Sequence, residues 1–324
     1  MIEVFVIQDG KMKELPVVSV TWSGSKDEAA RKIEVDYIYT LRGLHGRVKA
    51  KEGDGVIFKW KGKELFRGSI FDTSRGKSGP SNFVAYDLLI YSVKNRDSYI
   101  FSNKSADAIF KRTCGDFGLP MGKVDSTSVV FKNKVFDGET LWDMWMKSLS
   151  ETYKRNGRKF TIYADKGLVN LVEKKKQVVS WVVEDGVNLI DFNSTTSISD
   201  TITQVKLEAG EDKKTITATV SNNNMSKKFG VMQHYEKVSE KLNKAQLTSR
   251  AKSILSEKGK ISKTLDITAL GLSDLTSGKA LYVISKDLEV NRGYFIKKDS
   301  HTFKGNDHIV DLSVTETDEL PEVG

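Results

Sequence analysis

Glu139 and Asp143 stand four residues apart, the spacing at which two carboxyl groups share one helix face. A glycan-cleaving centre needs two carboxyls across a cleft, one of them with a raised pKa so that it can act as an acid. In the first turns of a helix the same pair answers the positive end of the helix dipole and faces water, and that is the reading the spacing favours. Arg75-Gly76-Lys77-Ser78-Gly79 has the texture of the end of a phosphate-binding loop, but Phe71 occupies the position of its first glycine and Pro80 spoils the helix that must follow. The segment reads as a hairpin tip, with Gly76, Lys77, Ser78 and Gly79 as candidate contacts with a neighbouring subunit. The four histidines, His45, His234, His301 and His308, include no pair at the helical spacing that puts two imidazoles on one metal; His301 and His308 flank a turn. Cys114 is the single cysteine, so one chain can form no internal disulfide and no multi-thiolate metal site. It lies on an apolar helical stripe without a local basic partner, as a small core residue does. Trp145 belongs to the core stripe of its helix, whereas Trp142 fits either the core or a protein interface. No catalytic residue, metal or cofactor is expected.

The elements around these residues are mostly strands. Residues 1–95 alternate with period two, as in Ile33, Val35 and Tyr37 against Glu34 and Asp36. Their clearest hairpin joins Val56–Trp60 to Glu64–Phe71 through Lys61-Gly62-Lys63. Met1 to Gly10 has no basic leader and carries Glu3 within its apolar stretch, so it reads as an edge strand and not as a signal peptide. Ala106, Ile109, Phe110, Thr113, Cys114 and Phe117 then recur at helical spacing, and a second helix is predicted from Asp137 as N-cap, with Leu141, Met144, Trp145, Leu149 and Tyr153 on one stripe. A hairpin over Phe160–Ala164 and Leu168–Val172 completes a small α/β domain, residues 96–189. A second β-barrel is expected over 190–224 and 260–320, interrupted by a helical insertion at 225–259 and followed by a tail at 321–324. The fold class is thus α+β and mainly β.

A chain of 324 residues is longer than one core usually serves. No apolar run is long enough to cross a bilayer as a helix. The formal charge of +8 invites a nucleic-acid reading, but short steps such as Lys174-Lys175-Lys176, Lys213-Lys214, Lys227-Lys228 and Lys297-Lys298 are separated by acidic or apolar residues. Scattered lysines of this kind keep a surface soluble.

Glu64-Leu65-Phe66-Arg67-Gly68 and Glu289-Val290-Asn291-Arg292-Gly293 share the pattern Glu-x-x-Arg-Gly, each after a strand that begins just past a glycine, Gly55 or Gly278. Asp87 and Asp311 follow at nearly equal distances, so Arg67, Gly68, Asp87, Arg292, Gly293 and Asp311 mark a candidate duplicated unit. Three chains with two similar barrels each make a ring that is three-fold in sequence and nearly six-fold in shape.

The stretches Val20-Thr21-Trp22-Ser23-Gly24-Ser25, Gly53-Asp54-Gly55-Val56 with Trp60, Phe66-Arg67-Gly68-Ser69-Ile70-Phe71, Tyr86-Asp87-Leu88-Leu89-Ile90-Tyr91, Leu141-Trp142-Asp143-Met144 and Gly293-Tyr294-Phe295-Ile296 resemble the XkdQ/YqbQ family of phage-like element proteins. That family is similar to the tail hub proteins of contractile phages, late control protein D and the hub part of secretion-system spikes among them. The resemblance covers nearly the whole chain. It implies two tube-protein-like β-barrels per chain in a homotrimeric hub of a virion or phage-like particle, assembled in the host cytoplasm. The implied partners are the tail tube protein, a spike or spike cap and baseplate proteins, with DNA passing the lumen unbound. It carries over no catalytic residues. Because some members have been labelled cell-wall hydrolases, a tail-associated peptidoglycan hydrolase stands as the alternative, and a nucleic-acid-binding module as a third.

Overall fold

Two-residue turns set the first hairpins. Lys61 and Gly62 both take positive φ and bring Trp60 opposite Lys63, and Lys166 and Gly167 do the same between Asp165 and Leu168. The computed structural model describes residues 1–39, 48–76, 80–174, 181–210, 215–238 and 242–316. It divides into two units, Met1–Phe192 with Asp266–Gly324, and Asn193–Leu265.

The first unit opens with β1 (Ile2–Gln8), β2 (Lys11–Glu14), β3 (Val17–Ser25), β4 (Lys32–Tyr37), β5 (Gly55–Trp60), β6 (Lys63–Arg75) and β7 (Ser81–Tyr86). Strand β1 is paired on both sides, with β2 and with β5, so it is not the edge its sequence suggested. The Leu15 N–H donates to the Val4 carbonyl and the Ile38 N–H to the Pro16 carbonyl. The bent run through Pro16 therefore serves β1 with its first part and β4 with its second, and the sheet closes into a barrel. Val4, Val6, Val20, Ile33, Val35, Val56, Phe58 and Phe83 fill it.

After α1 (Ile90–Lys94), a small α/β layer follows: β8 (Arg96–Ser105), α2 (Ala106–Asp116), β9 (Met121–Val124), β10 (Val130–Thr140), α3 (Leu141–Asn156), β11 (Phe160–Asp165) and β12 (Leu168–Glu173). Helix α3 starts three residues later than Asp137 would have it. The Thr140 hydroxyl accepts from the Asp143 N–H and donates to the Asp143 carboxylate, which makes Thr140 the N-cap, while Asp137 ends up inside β10. Trp145, Phe110, Cys114 and Met144 form the core beneath α2 and α3.

Next come β13 (Val182–Glu184), β14 (Leu189–Ser197), β15 (Gln204–Ala209), β16 (Ile216–Ser221), α4 (Asn223–Phe229), β17 (Gln233–Val238), α5 (Lys244–Lys258), β18 (Ser262–Leu270), β19 (Ala280–Ser285), β20 (Val290–Lys304) and β21 (Asp307–Thr315). Two expected boundaries are corrected. Residues 182–184 were placed in the small α/β domain, yet β13 pairs in parallel with β19; so short a strand, paired to a distant segment, leaves no local signature. Strands β15 and β16 were placed in the second barrel. They instead form a separate sheet in the order β16-β15-β17, and Val205, Leu207 and Ala209 bury against Leu247 and Ala251 of α5. The expected helical insertion thus contains a strand, β17, and makes the second unit together with 204–221. Alternation announces a half-buried strand without saying what covers it.

The main sheet runs β14-β18-β21-β20-β3-β4-β7-β6-β5-β1-β2, with β19 on β20 and β13 on β19. Its two halves have one strand order: β3-β4-β7-β6-β5 repeats as β14-β18-β21-β20-β19. Hydrogen bonds fix the correspondence residue by residue. Gly53 N–H donates to Ile70 O and Ile70 N–H to Asp54 O; Gly278 N–H donates to Ile296 O and Ile296 N–H to Lys279 O. Gly53 and Gly278 share a φ of 84°, open to glycine and strained for other residues. Each long strand then carries one bulged residue at the same place, Phe71 before the pair Asp72↔Val84 and Lys297 before the pair Lys298↔Ser313.

This register corrects the matched letters. Ile70 corresponds to Ile296, so Gly68 corresponds to Tyr294 and Arg67 to Gly293, one residue away from the Glu-x-x-Arg-Gly alignment. Tyr86 corresponds to Thr315, which gives Asp87 the counterpart Glu316 and Asp311 the counterpart Asn82. The pairing of side chains differs too: Arg67 makes a two-pronged bond with Glu64, whereas Arg292 pairs with Glu316 and not with Glu289.

Candidate functional site

The two halves meet where β3 pairs antiparallel with β20, from Lys298↔Ser25 to Phe303↔Val20. Strand β20 can do this because its first part pairs β19 and, past the Lys297 bulge, the same edge becomes free for β3. Period-two alternation sends Asp299, His301 and Phe303 inward together, and all three are buried.

A buried polar chain crosses this seam. The Arg31 guanidinium binds both oxygens of Asp299, one at 2.9 Å, and stacks over Trp22 at 4.2 Å. The Ser277 N–H also donates to Asp299, at 2.6 Å. His301 Nε2 lies 3.0 Å from the Leu275 carbonyl, which can only accept, so Nε2 carries a proton; Nδ1 lies 3.0 Å from His308 Nε2, and one proton is shared between these two ring nitrogens. Burial alone would raise the Asp299 carboxyl, but the Arg31 charge and the hydrogen bonds from His301 and Arg31 outweigh it and hold it at about 2. Burial, His301 and Lys61 push His308 down to about 4. His308 also stacks on Phe303 at 4.0 Å and meets the edge of Trp60, tying β21 to the first barrel.

The His308 shift has a definite sign. Its folded value lies below the ordinary 6.5, so as pH falls the unfolded chain takes up the proton first. The stability it contributes is complete above about pH 6.5 and is lost progressively down to about pH 4. Asp87 acts oppositely: burial pushes its carboxyl up to about 7 against two backbone N–H donors, so its contribution weakens as pH rises through that range. The difference between the wild type and His308→Gln isolates the histidine. The unfolding midpoint of the wild type should fall more steeply than that of the variant between pH 6.5 and 4; parallel curves would refute the assignment.

Sequence reasoning placed His301 and His308 around a turn and missed their contact; the Asp299-x-His301-x-Phe303 alternation was the available signal. Of the predicted contact residues, Gly76 is exposed just past β6, and Lys77, Ser78 and Gly79 lie outside the described residues, as does His45. Glu139 lies in β10 and pairs with Lys147, while Asp143 is occupied by the Thr140 cap, so the two carboxyls do not face each other across a cleft. His234 is on β17 beside Glu236. Cys114 is buried and its thiol is pushed up to about 12 by burial. Trp145 donates to the Thr113 hydroxyl within the core, and Trp142 packs half-buried at its margin.

The sequence profile of the YqbQ-like family matches residues 20–315. The chain is 41% identical to the protein YqbQ of Bacillus subtilis (strain 168) and 38% identical to the phage-like element PBSX protein XkdQ of the same organism, over 99% of each chain in both cases. Among solved structures, the 43 kDa tail protein of prophage MuSo2 from Shewanella oneidensis is similar in fold, with a TM-score of 0.71 at 14% identity over 97% of this chain and 98% of that one.

Proposed function

This chain belongs to the YqbQ-like family, and from that premise we propose that it is a structural hub of a contractile phage tail or tail-like particle. Three copies form a ring joining the tail tube to a central spike within the baseplate, in a virion or phage-like particle assembled in the host cytoplasm. The observation that carries this reading is the repeated strand order, β3-β4-β7-β6-β5 and β14-β18-β21-β20-β19, with the two copies joined edge to edge at β3 and β20. A chain holding two like sheets side by side supplies six units from three copies, which suits a six-fold tube on one face and a three-fold spike on the other. The similarity to XkdQ and the shared fold with a prophage tail protein support it. No catalytic role is proposed, and DNA is proposed to pass the lumen without specific binding.

The test is imaging of intact particles with and without this chain. Density for three copies at the distal end of the tube, and particles without that junction when the chain is deleted, is the expected result. Complete tails assembled in its absence would refute the proposal. Clearing of cell-wall substrate in a zymogram by the purified protein would favour the hydrolase alternative.

A further inference from the structure

The internal repeat leaves two edges without the partner that their counterparts have. In the second half, β20 pairs β19 up to Ile296 and then offers that same edge to β3. In the first half, β6 pairs β5 up to Ser69, with Ile70 bonded to the stretch before β5, and pairs β7 on its other side up to Arg75. Among the described residues no strand takes the β6 edge beyond Ile70. Asp72, Thr73, Ser74 and Arg75, the counterparts of Lys298 to His301, are all exposed. Likewise β3 pairs β4 on one side and β20 on the other, whereas among the described residues its counterpart β14 has only β18 and ends the sheet path.

Resting on the trimeric reading above, we propose that these two free edges are the two sides of the contact between copies of this chain. The β6 edge of one copy, Phe71–Arg75, pairs antiparallel with β14 of the next, in the register that β3 and β20 already show. The partner is a second copy because the chain itself contains the finished contact once, and each free edge matches one side of it. The residues suit an edge-to-edge pairing. Thr73 and Ser74 on one side and Ser194, Thr195 and Thr196 on the other are small or β-branched polar residues that pair well across strands. Exposed edges of this kind attract other chains unless they are covered, and a closed ring covers both. Gly76, directly beyond β6, then lies against the neighbour, as its sequence context suggested.

The register is specific enough to test. Ser74 corresponds to Ser300, which lies opposite Ser23. The Ile38 N–H to Pro16 O bond matches the Leu270 N–H to Asn188 O bond, and because β14 ends at Ser197 and β18 starts at Ser262, β14 keeps the one-residue bulge that β3 has near Val18, which puts Thr195 at the counterpart of Ser23. Cys114, the only native thiol, is buried, so cysteines introduced at the surface report cleanly. In isolated particles carrying Ser74→Cys with Thr195→Cys, mild oxidation should give covalent species of two and three chains that disappear on reduction. Neither single variant should do so. The neighbouring combinations of Thr73→Cys or Arg75→Cys with Ser194→Cys or Thr196→Cys should cross-link less. If mass measurement shows trimers but no combination cross-links between chains, or the bond forms only within one chain, the edge pairing is wrong while the trimer stands. If the particles hold the chain as single copies, the ring reading itself fails.

Discussion

Replacing Asp299 by alanine should destabilise the first unit by about 3–5 kcal/mol, read as a lowered denaturant midpoint at unchanged slope. The carboxylate has no solvent exposure and that of Arg31 is 19%, so the variant leaves a largely buried guanidinium without its counter-ion. It also strands the Ser277 N–H and removes an anion facing His301. The cost belongs to breaking the pair more than to any net gain from having it, because two charges taken out of water are expensive even when well matched. The double variant Arg31→Met with Asp299→Leu should therefore recover much of the loss. A midpoint for Asp299→Ala within about 0.5 kcal/mol of wild type would show that the seam does not depend on this pair.

Gly68→Ala and Gly293→Ala should behave in opposite ways although the two glycines share a sequence pattern. A Cβ on Gly68 would meet the Tyr86 carbonyl oxygen at 2.0 Å and the Phe66 ring at 2.8 Å, so β7 or β6 must move. Overpacking against backbone costs about 1–3 kcal/mol or more, and unfolding of the first unit should register it. A Cβ on Gly293 has only the Leu281 carbonyl within reach, at 3.9 Å, and its φ is not in the left-handed region. That substitution should be neutral or add up to about 1 kcal/mol by reducing the freedom of the unfolded chain. Equal losses at both sites would restore the alignment that the hydrogen-bond register rejects.

Much of the fold was legible in residue order because it is set locally. Gly62 and Gly167 mark turns that only positive φ permits, and the Ile33-Val35-Tyr37 alternation fixes which side of β4 is inward. The stripe through Leu141, Met144, Trp145, Leu149 and Tyr153 gave α3; its start moved, because the Thr140 hydroxyl reaches the Asp143 N–H, and Tyr153 at its far end is exposed and not part of the buried face. The duplication was also visible, but through the wrong letters. Glu-x-x-Arg-Gly falls one residue out of register, and the Gly53 and Gly278 turns with their matched bulges are what relate the halves. Side chains diverge between copies while the backbone bonding pattern is kept, so identity of residues is a poor guide to an old repeat.

By itself the sequence determined the turns at Gly62 and Gly167, the helices α2 and α3 and the inward face of strands such as β4, since these depend on φ preferences and on the period of apolar residues within a few positions. Only the tertiary structure decided which sheet β13, β15 and β16 joined, and that Arg31 would meet Asp299, and His301 would meet His308, in one buried chain. Those outcomes rest on pairings between distant segments, where the burial gained by one register over another is spread across a whole interface and leaves no trace in any short stretch of residues.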